Sequence, residues 1–116
     1  MNRPDGRRRV VVTGIGMVTP VGLDRESTWD ALVQGRNGIT PVTAWDAAAF
    51  STRIAGEVKN FDASPYAPPD EIRRMDRFVQ FSIAAGAQAV ADSGLDFSKE
   101  DAERCGVICG SGIGGL

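Results

Sequence analysis

Residues able to do chemistry fall in three places in this chain. Arg73, Arg74 and Arg77 lie within five positions. Cys105 and Cys109 are the only thiols. Gly110-Ser111-Gly112-Ile113-Gly114-Gly115 forms a glycine-rich run directly after the second cysteine. What is missing limits all three: among 116 residues there is no histidine. Ser-His and Cys-His nucleophiles and histidine metal sites are therefore beyond this chain alone. Two cysteines four apart on an expected strand are too far apart to bridge, and too few to hold a metal. An apolar strand offers Cys109 no base and no means of lowering its pKa. We read both cysteines as small buried thiols in a reducing compartment, with no catalytic residue and no metal or cofactor site.

The run Gly110-x-Gly112-x-x-Gly115 has the spacing of a dinucleotide-binding fingerprint. Such a loop needs a helix behind it and an acidic residue about twenty positions further on. Neither is present, so a nucleotide- or phosphate-binding module is only an alternative reading. The arginines have a plainer reading as helix ion pairs. Asp70 precedes Arg73 by three residues and Arg74 by four, the favourable order. Asp70 and Asp76 cannot pair all three arginines, which leaves room for an acidic partner. A non-catalytic interaction domain built on that cluster is the third reading.

Around these residues the chain is ordinary. It is 42% apolar and 24% charged, with a net charge of −2. These values suit one soluble globular domain and argue against disorder and bulk attraction to nucleic acid or membrane. Arg7-Arg8-Arg9 before Val10-Val11-Val12 superficially resembles a signal peptide. Gly14, Gly16 and Pro20 soon break that run, and no segment approaches a membrane span.

The pattern predicts a loose tail over residues 1–8, a buried strand over 9–13, and a glycine-punctuated loop over 14–22. A helix follows over 24–34, with Asp24 as N-cap, Gly35 as stop and Trp29, Leu32 and Val33 as its apolar face. Residues 38–50 read as irregular and 52–58 as a short strand. Residues 70–93 read as one long Ala-rich buried helix ended by Gly94. Ser98 and Asp101 suggest a capping box for a short helix through Arg104, and residues 106–109 another buried strand. This order is α/β with at least one parallel crossover. A strand and glycine loop normally feed a helix, so we read the chain as cut after that loop.

The ordered set of segments carries a resemblance. Val10 through Gly22 (VVVTGIGMVTPVG), Ser27-Thr28-Trp29, Gly35-x-x-Gly38-Ile39, Arg74-Met75-Asp76-Arg77-Phe78-Val79-Gln80, Asp92-Ser93-Gly94-Leu95 and Gly110 through Leu116 resemble the opening of β-ketoacyl-[acyl-carrier-protein] synthases of the elongating kind. The resemblance implies the N-terminal part of a thiolase-like fold, a five-layer α-β-α-β-α arrangement of two halves, here only the first and incomplete. Residues 9–116 would be that partial domain. It implies a cytoplasmic homodimer without cofactors. That enzyme performs a decarboxylative Claisen condensation of acyl and malonyl thioesters borne by acyl carrier protein, in fatty acid elongation or, alternatively, a polyketide pathway. The family's nucleophilic cysteine and two histidines match nothing in this chain, so the chain alone is expected to be inactive. Two roles carry over. Ile113 matches the family's gate of the acyl pocket, and Arg73 and Arg74 match its carrier-protein surface. Asp70 departs from the family by standing where a basic residue is often found.

Overall fold

A computed structural model describes residues 6–115. The elements in chain order are α1 (Arg25–Val33), β1 (Ile39–Pro41), β2 (Ile54–Gly56), α2 (Pro69–Ile72), α3 (Arg77–Ser93) and a 3-10 turn (Ala102–Arg104). Residues 1–5 of the expected tail, and Leu116, lie outside the described residues.

α1 forms as its cap predicts. Asp24 is extended and accepts from the Ser27 amide at 2.7 Å, while the Asp24 amide donates to Ser27 Oγ, so two orphan helix donors are satisfied. Gly35 follows at φ +67, the left-handed conformation that ends helices cheaply. The covered face differs from the expected one. Thr28 and Ala31 are buried, and Trp29, Leu32 and Val33 are exposed.

α3 is the spine of the molecule, and the glycine-punctuated segment lies flat along it. A Cβ at Gly14 would overlap the Ala89 carbonyl oxygen, and one at Gly16 would overlap that of Ala85. Only hydrogen fits, so these glycines serve close backbone approach. One face of α3 then acts as a ladder partner. The Ile15 amide donates to Asp92 Oδ2 at 2.9 Å and the Met17 amide to Gln88 Oε1 at 3.0 Å. Gln88 and Asp92 are one helical turn apart, so they meet alternate amides of the extended segment. Gln88 Nε2 also donates to the Leu23 carbonyl at 2.8 Å, and Arg25 pairs with Asp92. The Ile15 amide, with Arg25 beside it, holds the Asp92 carboxyl below its ordinary value.

Residues 39–56 hold a small antiparallel pair, with Ile39 opposite Gly56 and Pro41 opposite Ile54. β1 arises inside the stretch expected to be irregular, and β2 is shorter than the expected 52–58 strand. Glu57 fastens the connecting loop, accepting from the Thr43 and Ala44 amides and the Thr43 hydroxyl. Led by the Ala44 amide, these bonds hold its carboxyl below the usual range.

Two larger expectations are overturned. The runs 9–13 and 106–109 join no ladder among the described residues, and the parallel crossover is not formed. Val10 is 87% exposed and Ile108 101%. A β-run is held by its neighbours, and neither run pairs with one among the described residues. Cys105 and Cys109 are consequently free and exposed rather than buried. The expected single helix over 70–93 is also broken. α2 stops at Ile72, and Asp76 is extended at φ −62, ψ 155 before α3 begins. Gln80 Nε2 reaches back to the carbonyls of Ile72 and Met75, satisfying acceptors released by the break. The cap near residue 100 is Asp101 alone, since Ser98 bonds to Asp96 instead.

Among the described residues the buried apolar ones are four alanines, and no large side chain is fully buried. The Cα radius of gyration is 18.0 Å, against about 13 Å for a compact chain of this length. Such a chain has little core to oppose chain entropy. The 116-residue chain alone is therefore expected to self-associate and to melt without a cooperative transition. A monomer by sedimentation with a sharp calorimetric transition would contradict this.

Candidate functional site

The turn between α2 and α3 carries the arginines, and local sequence explains its shape. Pro68 is extended and Pro69 opens α2, where a missing amide costs nothing. The Arg74 and Met75 amides bond three residues back, to Glu71 and Ile72, which tightens the chain before Asp76 turns it outward.

The three arginines then separate in role. Arg73 pairs with Asp70, both at the exposed surface. Arg77 turns inward. It donates to the Val58 carbonyl at 3.2 Å and lies over the rings of Phe61 and Phe81, at 5.9 and 5.2 Å. It is a structural cation that ties α3 to the loop after β2. Arg74 is exposed and forms no ion pair with any described residue. Asp70, Glu71 and Asp76 balance the three arginines in formal charge. What the turn offers is one guanidinium with no ion-pair or ring partner among the described residues, on Arg74, beside the surface-paired one on Arg73.

The glycine run 110–115 ends against the same turn. Gly114 has φ +83, and a Cβ there would lie 3.8 Å from the Phe78 ring. A Cβ at Gly115 would overlap the Asp76 carboxylate. Gly110 and Gly112 have open space around them. Just before them, among the described residues, only the long Cys109 Sγ–Ser82 Oγ contact at 4.0 Å ties the chain to α3, so the close packing of this loop is at its 114–115 end. Ile113 stands between the free and seated parts and is 80% exposed. Arg73, Arg74 and the loop bearing Ile113 thus converge on the N-terminus of α3.

Sequence reasoning missed Asp76 and Phe78 as the seat of that loop. Asp76 looks like an ordinary helix cap, yet its side chain makes no cap bond. The clamp residues Gln88 and Asp92 were missed too; their i, i+4 spacing was the available signal. A cleft of about 450 Å³ opens beside α1, lined by Ile15, Met17, Trp29 and Leu32 among others. None of Arg73, Arg74 or Ile113 lines it. Cys109 Sγ has Ser82 Oγ at 4.0 Å, and no base stands beside it among the described residues. Among those residues, no helix is long and apolar enough to cross a membrane.

Comparison with known proteins gives a consistent result. Residues 7–116 match the family model described as "Beta-ketoacyl synthase, N-terminal domain". Over 110 residues the chain is 54% identical to 3-oxoacyl-[acyl-carrier-protein] synthase 2 of Vibrio harveyi, covering 95% of this chain and 26% of that protein. It is 46% identical over 110 residues to the synthase of the same name from Synechocystis sp., again covering 95% and 26%. Among solved structures, the ishigamide ketosynthase/chain length factor superposes with a TM-score of 0.68 at 36% identity, over 79% of this chain and 23% of that one. The chain spans about a quarter of the length of the curated relatives it matches.

Proposed function

This chain belongs to the β-ketoacyl synthase family through its N-terminal domain, with the thiolase-like fold of that family, and from that premise we propose that it serves a 3-oxoacyl-[acyl-carrier-protein] synthase of fatty acid elongation. The observation that carries the proposal is the convergence, at the start of α3, of a turn bearing Arg74 and the surface-paired Arg73 with a glycine loop packed closely at its 114–115 end. A carrier protein must dock and its acyl chain must enter, and these two features suit those two tasks. In this reading residues 9–116 are the N-terminal ketosynthase part, working in a cytoplasmic homodimer without a cofactor.

The reaction is a decarboxylative condensation. The malonyl carboxylate leaves as CO2, and the electron pair left behind attacks the acyl thioester carbon. The C–S bond of that thioester breaks, and the displaced sulfur departs as thiolate. This chain's residues act around that chemistry. Arg74, helped by Arg73, attracts an acidic carrier protein, and Ile113 opens or closes the path of the acyl chain. With no histidine, the chain supplies no imidazole to stabilise the developing oxyanions. A polyketide ketosynthase is the second reading; identities of 54% and 46% to elongating synthases favour the first.

The test uses malonyl- and acyl-carrier protein. The synthase carrying this sequence is expected to release CO2 in step with 3-oxoacyl product, while the 116-residue chain alone releases none. CO2 release by the chain alone, or no condensation by the synthase, would overturn the proposal.

A further inference from the structure

We infer that Asp76 is a positioning residue for the acyl gate. The inference rests on the reading of Ile113 given above and deepens it. Three observations meet at this residue. Asp76 sits at the N-cap of α3, where an aspartate ordinarily accepts from the helix amides, yet it makes no such bond. Its carboxylate instead occupies the space that a Cβ on Gly115 would need. Gly115 does not sit in the left-handed region that Gly114 occupies at φ +83. Its lack of a side chain therefore answers the carboxylate and not the backbone conformation.

The consequence for Ile113 follows from the chain between them. Ile113 is two residues from Gly115, and the intervening Gly114 rests near the Phe78 ring. The other side of the loop, at Gly110 and Gly112, touches nothing a Cβ would reach. Its one tie on that side among the described residues is the long Cys109 Sγ–Ser82 Oγ contact at 4.0 Å, and a loop packed closely at one end and loosely at the other moves about the close-packed end. The packing of Asp76 on Gly115 thus fixes the pivot from which the Ile113 side chain swings. Asp76 follows the Arg73–Arg74 turn by two residues, so the pivot adjoins the docking surface.

The test moves the same bulk across the contact. In the synthase carrying this sequence, Asp76→Ala and Gly115→Ala each unseat the loop. The ratio of kcat/KM for long over short acyl-carrier substrates should rise about fivefold in each. The double variant places a methyl group where the carboxylate was, and the ratio should return to within about twofold of the parent. Gly115→Ala with Asp76→Asn keeps the overlap and should not be rescued. Asp76 is exposed and makes no cap bond, so Asp76→Ala alone keeps the question answerable if Gly115→Ala misfolds. An unchanged ratio in Asp76→Ala, or additive effects in the double variant, overturns the inference while leaving the condensation reading intact. A parent synthase that condenses no acyl-carrier substrate overturns both.

Discussion

Valine at position 16 should cost the fold about 3 kcal/mol, the upper range for forcing bulk into a packed site. The overlapping group at Gly16 is the Ala85 carbonyl oxygen, with the Ala89 amide nitrogen and Gln88 Cβ each 2.8 Å from where a Cβ would stand. Two of those atoms are helix backbone, which cannot rotate away as a side-chain tip would. The strand-like segment must lift off α3 instead. Lifting it breaks the Met17–Gln88 bond, and the Ile15–Asp92 bond next to it. A lost neutral bond of the Met17 kind costs about 1 kcal/mol in its own right. In the synthase carrying this sequence, Gly16→Val should lower the thermal midpoint by roughly 5 °C or more, with reduced soluble yield. An unchanged midpoint would show that the segment does not depend on close approach to α3.

That glycine also shows where the sequence was legible and where it was not. Gly14 and Gly16 read as loop punctuation, because a sequence shows that side chains are absent but not which surface requires their absence. Local signals were sound where the physics is local. Asp24 and Gly35 bound α1 by hydrogen bonds and backbone conformation within a few residues, and Gly94 ends α3 with φ +66 for the same reason. The Arg73–Asp70 pair is likewise a three-residue matter.

Failures came where the cause is distant. Val10–Val12 and Val107–Ile108 carry the composition of buried strands, but composition cannot provide a ladder partner, and both runs remain exposed. The break at residues 73–76 has neither proline nor glycine to mark it. Ile72, Met75 and Val79 keep helical spacing through the interruption, which is stabilised by the Gln80 side chain. Of the proposed site, Arg73, Arg74 and Ile113 come from positions in an ordered family pattern. The division of the arginines into the paired Arg73, the ring-packed Arg77 and the unpaired Arg74 was not legible, because Val58, Phe61 and Phe81 come from other parts of the chain.

The central claim is that the arginine turn receives an acidic carrier protein at the mouth of the acyl path. Arg73→Glu with Arg74→Glu replaces attraction by repulsion at an exposed rim, where charge acts mainly on encounter. Reversing two such charges should weaken docking by about 2 kcal/mol, or roughly thirtyfold in apparent KM. Arg74→Glu should account for most of it, since Arg73 is already engaged by Asp70. The effect should shrink as salt rises, because the contact is Coulombic and exposed. Arg77→Glu is no docking variant: it removes the tie to Val58 and the two rings, and should lower stability instead.

The deciding measurement compares two acyl donors on the doubly reversed synthase, one carried by acyl carrier protein and one a small pantetheine thioester. The account predicts KM raised roughly thirtyfold for the carrier-borne donor and kcat/KM unchanged within about twofold for the small one, which places the loss in docking and not in chemistry. Equal losses on both donors would contradict it and make the arginines part of the fold alone.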